Sequence, residues 1–390
     1  MAKKEVYLDN AATTPVRKEV LREMIDYFNL YYGNPSSFHN KGKEALDAIQ
    51  SARKKIAEIL NCKQNEIIFC SGGTESVNFA IKGVAFANKE KGNHIITTKI
   101  EHHAVLNTCE FLERDGFNVT YLDVNKNGIL DIEKLKKAIT YKTILISVMY
   151  ANNEIGTIQP IREIAEVAKQ HEIFFHSDAC QAAEYLDLNV NNLGVDLMTL
   201  NGSKIYGPKG IGILFKKENI KVEPLIHGGG QEFGLRSGTE NVPYIVGFAK
   251  ALELAQKERE AESKRLTELR DYFIEELLKI PGTFLNGHSN KRLPNNINIS
   301  FSDVEGESIV LYLNEKGIYV STGSACNSKN LSVSHVLKAI GIPYEIAHGS
   351  IRISLGRETT KRDINYTIRQ IRKTIEKLRE ISPLKFAKLK

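Results

Sequence analysis

Ile173-Phe-Phe-His-Ser-Asp178 drives an apolar run straight into a carboxylate. Val195-Asp-Leu-Met-Thr-Leu-Asn-Gly-Ser-Lys204-Ile-Tyr-Gly-Pro-Lys-Gly210 ends another such run in a lysine ahead of a Gly-Pro turn. Short apolar runs bounded by turn residues read as buried strands. Others stand at Glu66–Cys70, His94–Thr98, Val119–Leu122, Thr143–Met149 and Gly210–Phe215, with the two quoted stretches supplying Ile173–His176 and Val195–Leu200. Amphipathic stretches such as Gly42–Leu60, Thr74–Asn88 and Ile161–His171 lie between them. Strands alternating with helices predict an α/β fold, a mostly parallel sheet covered on both faces. In such sheets ligands sit beyond the carboxyl ends of the strands, where Asp178 and Lys204 stand.

Beyond the sheet the pattern changes. Thr239 to about Ile280 reads as one long, charge-rich helix leading out of the first domain. Asn296–Phe301, Gly317–Val320 and Ser350–Ser354 then read as strands, and Ser308–Asn314 and Val333–Ile340 as helices. In the last helix Ile364, Ile368, Ile371, Ile375 and Leu378 recur at helical spacing behind a Thr360-x-x-Asp363 capping box. Its basic outer face reads as a solvated surface. A chain of 390 residues, 42% hydrophobic, fits two or three domains of about 150 residues. Its Gly and Pro content excludes a low-complexity or collagen-like chain. No apolar run approaches the ~20 residues of a membrane helix, and the first residues lack the apolar core of a secretory signal. A net charge of +6 over 53 basic and 47 acidic residues is mild and argues weakly at best for nucleic acid. Five cysteines without CxxC spacing fit reduced thiols in a cytoplasm.

Phe69-Cys-Ser-Gly-Gly-Thr-Glu-Ser76 follows a strand and opens a helix, so its backbone N–H groups and the helix dipole suit an anion. It lacks the Gly-Lys-Ser/Thr ending of a P-loop, and taken alone it reads equally well as a Gly-rich turn. Joined to Lys204 and Asp178 it gains meaning. A lysine for a Schiff base, a carboxylate for a pyridinium nitrogen and an anion anchor are what pyridoxal phosphate requires. In Glu101-His102-His103-Ala104 the adjacent histidines diverge, which suits one of them stacking on a cofactor ring better than joint metal ligation. Cys62, Cys70, Cys109 and Cys180 lie beside apolar or helical segments and read as small buried hydrophobes. Cys326, in Ser321-Thr-Gly-Ser-Ala-Cys-Asn-Ser-Lys-Asn330, sits among polar and small residues and reads as an exposed nucleophile.

Together these segments resemble the cysteine desulfurases of the NifS/IscS type, fold type I pyridoxal phosphate enzymes. The resemblance runs through Tyr7-Leu-Asp-Asn-Ala-Ala-Thr-Thr-Pro15, Tyr32-Gly-Asn-Pro-Ser-Ser37, Asn152-Asn-Glu-Ile-Gly156, Asp178-Ala-Cys-Gln181, Lys204-Ile-Tyr-Gly-Pro-Lys-Gly210, His227-Gly-Gly-Gly230, Arg236-Ser-Gly-Thr239, Gly323-Ser-Ala-Cys326 and Arg352-Ile-Ser-Leu-Gly-Arg357. It implies a large cofactor-binding domain at 15–261 and a smaller α+β domain from 1–14 and 262–390 that carries the cysteine segment. Lys204 would hold the cofactor covalently, Asp178 pair with the pyridine nitrogen, and His102 stack on the ring and assist proton transfer. Gly73, Thr74 and a Thr239 from the other subunit of a homodimer would bind phosphate. Asn153 and Gln181 would hold the phenolic oxygen side, and Arg352 with Asn153 the substrate carboxylate. Cys326 would take sulfur from L-cysteine as a persulfide and pass it to an iron–sulfur scaffold or a tRNA-thiolating acceptor, with no membrane or direct nucleic-acid partner. No resident metal is implied, and whether Cys326 ligates a transferred cluster stays open.

The chain departs from that pattern once. The family writes Ser-x-His-Lys where this sequence has Asn201-Gly202-Ser203-Lys204. Asn201 and Ser203 then stand at phosphate-holding positions, and a weaker grip on the cofactor is expected. A selenocysteine lyase, a transaminase of the same fold, or a sulfur-trafficking subunit with weakened cofactor retention are the alternative readings.

Overall fold

A computed structural model describes residues 5–322 and 333–381. Its main sheet has seven strands: β2 (Ile67–Cys70), β3 (His94–Thr98), β4 (Asn118–Leu122), β5 (Thr143–Ser147), β6 (Phe174–Asp178), β7 (Leu197–Asn201) and β8 (Gly212–Lys216), after a first short strand β1 (Val6–Tyr7) that belongs elsewhere. The order is β2-β8-β7-β6-β5-β3-β4. β4, β3, β5, β6 and β7 run parallel to one another, and β8 is antiparallel to both β7 and β2. The turn from Asn201 to Gly212 explains that reversal, since it is too short for the crossover helix a parallel return requires.

Both faces of the sheet are covered. Ile67 and Phe69 of β2 join one apolar core with helices Asn40–Leu60 and Ile161–Gln170, while Ile68 and Cys70 join the opposite core under helices Gly73–Ala87 and His103–Arg114. That alternation is the period of a strand buried on both sides. β5 ends at Ser147, short of the expected Met149. On the β3 side the Met149 N–H turns to the Glu101 carboxylate at 3.0 Å instead of to a ladder carbonyl. β6 runs two residues further than expected, so Asp178 is its last residue.

The 37-residue helix Val242–Leu278 carries two buried groups. Residues from Val242 to Ala255 pack on the main sheet, and Leu266, Phe273, Ile274 and Leu277 pack in a separate core. That second core is built on the antiparallel sheet β12-β10-β9, with β9 (Thr283–Leu285), β10 (Asn296–Phe301) and β12 (Ser350–Ser354). β1 returns to this half and pairs in parallel with β11 (Ile318–Tyr319), burying Val6 and Leu8 there. The final helix, Lys361–Ile381, buries Ile364, Ile368, Ile371, Ile375 and Leu378 as its spacing requires. Its capping box is closed in both directions: Thr360 N–H donates to Asp363 Oδ2 at 3.1 Å, and Asp363 N–H donates to Thr360 Oγ1 at 3.2 Å. Among the described residues no helix is long and apolar enough to cross a membrane.

Candidate active site

The carboxyl ends of β6 and β7 open into a cavity of ≈ 330 Å³. Gly73, Thr74, His102, Asn153, Asp178, Gln181, Asn201, Lys204 and Arg352 line it, together with Ala11, Ala12, Ala104, Met149, Ala151 and Cys180. Lys204 ends the short turn Gly202–Lys204 that follows β7. Its Nζ donates to the Ala11 carbonyl at 3.0 Å and also to that of Ala12. Gln181 Nε2 donates to the same Ala11 carbonyl at 2.9 Å. Asp178 accepts the Cys180 N–H through Oδ1 at 3.0 Å.

His102 caps helix His103–Arg114, its Nδ1 accepting the Ala104 N–H at 3.1 Å. A backbone N–H can only donate, so Nδ1 is bare and the neutral ring carries its proton on Nε2. Burial pushes the His102 pKa down, Lys204 pushes the same way, and Asp178 opposes them. The ring is therefore neutral at neutral pH. Behind it the His103 and His335 rings lie 4.7 Å apart, and His335 Nε2 is 2.9 Å from the Glu101 carbonyl.

Arg352 is 4% exposed on β12 and reaches in from the second core. It donates to the Asn153 carbonyl at 3.2 Å and to Asp9 Oδ1 at 2.9 Å, while its buried Nε has no partner. Arg352 also lines the cavity, and a carboxylate is the natural complement of a guanidinium. Next to Asn153, the buried Glu154 accepts a hydrogen bond from Ser334 Oγ. Ser334 caps helix His335–Ala339, so the start of that helix is fastened to the residue that follows Asn153 of the lining.

Three expected site residues stand apart. Ser203 is outside the lining: its backbone N–H and its Oγ both donate to Asn201 Oδ1, at 3.2 and 3.3 Å. Thr239 is exposed and does not line this chain's cavity. Its loop is held through Arg236, whose Nε donates to Glu75 Oε1 at 2.9 Å. Cys326 lies outside the described residues. The sequence reading assigned no role to Asp9, Ala11 or Ala12. The two alanines act through backbone carbonyls, which side-chain chemistry does not reveal. It also read Cys180 as a buried hydrophobe, whereas it is a half-buried wall of the cavity.

The family model described as aminotransferase class-V matches residues 6–367. The chain belongs to the aminotransferase class-V family. Among curated relatives, the cysteine desulfurase IscS of Dictyoglomus turgidum is 57% identical over 98% of each chain. The protein of the same name from Methanosarcina thermophila is 56% identical over 98% of this chain and 94% of its own. A solved NifS-like protein superposes with a TM-score of 0.91 at 39% identity, covering 96% of this chain and 100% of its own. A structure described as SspA in complex with cysteine gives a TM-score of 0.80 at 41% identity, covering 90% and 98%.

As a class-V aminotransferase the chain uses pyridoxal phosphate, and its cavity fits that group. A Cβ added at Gly73 would come within 2.8 Å of Cys180 Sγ, so only glycine leaves the first turn of helix Gly73–Ala87 close to its neighbours. Asn201 Nδ2 lies 3.5 Å from that same point, and its Oδ1 is already occupied by Ser203. The amide therefore presents donors at a helix N-terminus, as a phosphate requires. A carboxylate at Asp178 and an amine at Lys204 complete the set.

Proposed function

We propose that this class-V aminotransferase is a cysteine desulfurase, removing sulfur from L-cysteine to leave L-alanine. The observation that carries the reading is one small cavity lined by both the Lys204 side chain and the Arg352 side chain. That pairing suits a compact α-amino acid held by its carboxylate, and the names of the relatives specify which one. Gly73, Thr74 and Asn201 would hold the cofactor's phosphate, Asp178 its ring nitrogen, and Asn153 and Gln181 its phenolic oxygen side. Bound there, pyridoxal phosphate supplies an electron sink for charge developing at the substrate Cα.

The chain's own residues do the rest. Arg352, kept in place by Asp9 and the Asn153 carbonyl, orients the substrate carboxylate. Lys204 Nζ takes the Cα proton, its position set by the two alanine carbonyls. His102, neutral with its proton on Nε2, offers a donor and a bare face rather than a charge. Sulfur transfer requires a thiolate, and none of the described cysteines supplies one. Burial pushes Cys62 and Cys109 up to about 12, and Cys70 and Cys180 well above the ordinary thiol value. We therefore assign the nucleophile to Cys326 on the sequence. In the balance, the substrate Cβ–S bond breaks and a Cys326 S–S bond forms; the sulfur is oxidised to the sulfane level and the carbon reduced to a methyl group.

We further propose a homodimer. Leu21, Ile25 and Phe28 form an exposed stripe on helix Lys18–Asn29, and Phe38 is fully exposed. Thr239, exposed and outside the lining of its own cavity, is consistent with service in a second copy's site. Domains at 15–261 and at 1–14 with 262–390 fit the change of core along helix Val242–Leu278. An iron–sulfur scaffold as sulfur acceptor and a cytoplasmic location complete the reading, the latter favoured by four free cysteines among the described residues.

The deciding experiment is incubation with L-cysteine and a reductant, following sulfide and alanine together. Equal yields are expected from the parent chain, and neither product from Cys326→Ala. Alanine without sulfide, or unchanged sulfide in Cys326→Ala, overturns the assignment.

A further inference from the structure

Beneath the cavity a line of hydrogen bonds crosses β5, β6 and β7 and ends on the helix that begins at Gly73. His176 Nδ1 lies 2.9 Å from Ser147 Oγ, and His176 Nε2 lies 3.0 Å from Thr199 Oγ1. Thr199 Oγ1 is 2.9 Å from Ser76 Oγ, which donates to the Ile213 carbonyl at 2.8 Å. All four side chains are fully buried.

The direction of every bond follows from that carbonyl. A hydroxyl has one proton to donate. Ser76 gives its proton to Ile213 and so accepts from Thr199. Thr199 has then used its own and accepts from His176 Nε2–H. Nδ1 is left to accept from Ser147. A neutral ring is required, and burial provides it by pushing His176 down to about 4.

Side chains two apart on a strand share a face, so His176 stands directly below Asp178, and Thr199 directly below Asn201. Ser76 is one helical turn beyond Gly73. Three of the four links, His176, Thr199 and Ser76, therefore lie under groups assigned to the cofactor, and Ser147 anchors the far end of the line. We infer that His176 is a positioning residue that fixes the Asp178 carboxylate relative to the phosphate cradle of Gly73, Thr74 and Asn201. This inference rests on the reading of the cavity as the pyridoxal phosphate site.

The test exploits side-chain mimicry. Glutamine places its amide nitrogen near the histidine Nε2 position and keeps the donor to Thr199. Asparagine reaches only the Nδ1 position, and phenylalanine keeps ring volume with neither bond. Cofactor-free protein is titrated with pyridoxal phosphate, followed by the visible absorption of the bound form, and its own Tm is measured in parallel. His176→Phe and His176→Asn are expected to bind the cofactor at least about tenfold more weakly, the equivalent of about 1.4 kcal/mol. His176→Gln is expected to stay within about threefold of the parent, with an unshifted absorption maximum. Equal losses in all three variants, or a lower Tm with unchanged cofactor affinity, overturn the inference. Where His176→Phe does not fold, Ser76→Ala and Thr199→Val break the same line at other links: weaker retention supports the inference and parental retention overturns it. A parent chain that takes up no cofactor overturns the cofactor reading itself, and this inference with it.

Discussion

Gly73→Ala adds one methyl group where the cavity is tightest. Its Cβ would stand 2.8 Å from Cys180 Sγ, against 3.5 Å from Asn201 Cβ and Nδ2, so Cys180 is the neighbour it overlaps. Forcing a methyl into a packed site costs about 1–3 kcal/mol. Nothing else opposes the change, because an alanine inside a helix is favoured over glycine by up to about 1 kcal/mol. The first turn relieves the overlap by moving off Cys180 toward the cavity, into the space assigned to phosphate. Cofactor affinity is therefore expected to fall about 5- to 100-fold, while the cofactor-free protein keeps its Tm or gains slightly. Cys180→Ala removes the sulfur, so Gly73→Ala in that background should cost less than about threefold. The assay is a double-mutant cycle on pyridoxal phosphate affinity, where contacting residues couple by about 0.5–3 kcal/mol. An equal penalty in both backgrounds would refute the reasoning, since the overlap with sulfur would not be its cause.

Borohydride reduction of the purified yellow protein is expected to fix the cofactor to the peptide containing Lys204; labelling at another lysine removes Lys204 from its role. Asn201→Asp keeps the acceptor that Ser203 uses but replaces the amide donor with a carboxylate, so cofactor affinity should fall more than tenfold, and retention at the parental level would show that Asn201 does not face the phosphate. Arg352→Gln should raise KM for cysteine by about tenfold or more, since a bond between charged groups contributes about 1.5–3 kcal/mol; a changed kcat with unchanged KM contradicts carboxylate binding. Burial pushes Glu154 from 4.5 up to about 7, so the folded chain holds that proton more tightly than the unfolded one. The stability this confers is complete below about pH 4.5 and is lost as pH rises through 7, up to about 3 kcal/mol at about 1.4 kcal/mol per tenfold change in proton affinity. Glu154→Gln does not titrate, so it should gain stability relative to the parent between pH 5 and 8, and parallel pH curves for the two proteins would contradict this.

Much of this arrangement is legible in the sequence, for reasons visible at particular residues. Asp178 and Lys204 stand out because each ends an apolar run at the one edge of an α/β sheet where ligands bind. The last helix stands out because five apolar residues keep one face and Thr360 and Asp363 cap it. Helix Lys18–Asn29 is hidden for the opposite reason: Val20 and Met24 are buried while Leu21, Ile25 and Phe28 are exposed, so two apolar faces blur the period. The carbonyls of Ala11 and Ala12 are hidden because any residue has a carbonyl. Asp9 finds Arg352 only through pairing across the chain, from near the N-terminus to β12.

The Asn201–Ser203 pair shows where counting side chains falls short. Compared position by position with Ser-x-His, the chain loses an imidazolium and gains an amide, which suggests a weaker hold on phosphate. In the structure Ser203 lies outside the cavity lining and holds Asn201 Oδ1 with two donors, which leaves the Asn201 Nδ2 on the side of Gly73. In the proposed phosphate site, one residue would supply the donor and the other would aim it. A histidine in place of Ser203 would add a charged bond that the Ser203 hydroxyl, engaged with Asn201, does not make, about 1.5–3 kcal/mol and so about tenfold or more in affinity. It would also remove the Ser203 hydroxyl that helps fix the amide. Ser203→His alone should therefore slow cofactor loss during turnover by less than about tenfold, while Ser203→His combined with Asn201→Ser should recover the full gain. A single variant that matches the double one would mean that Asn201 needs no help to face the phosphate.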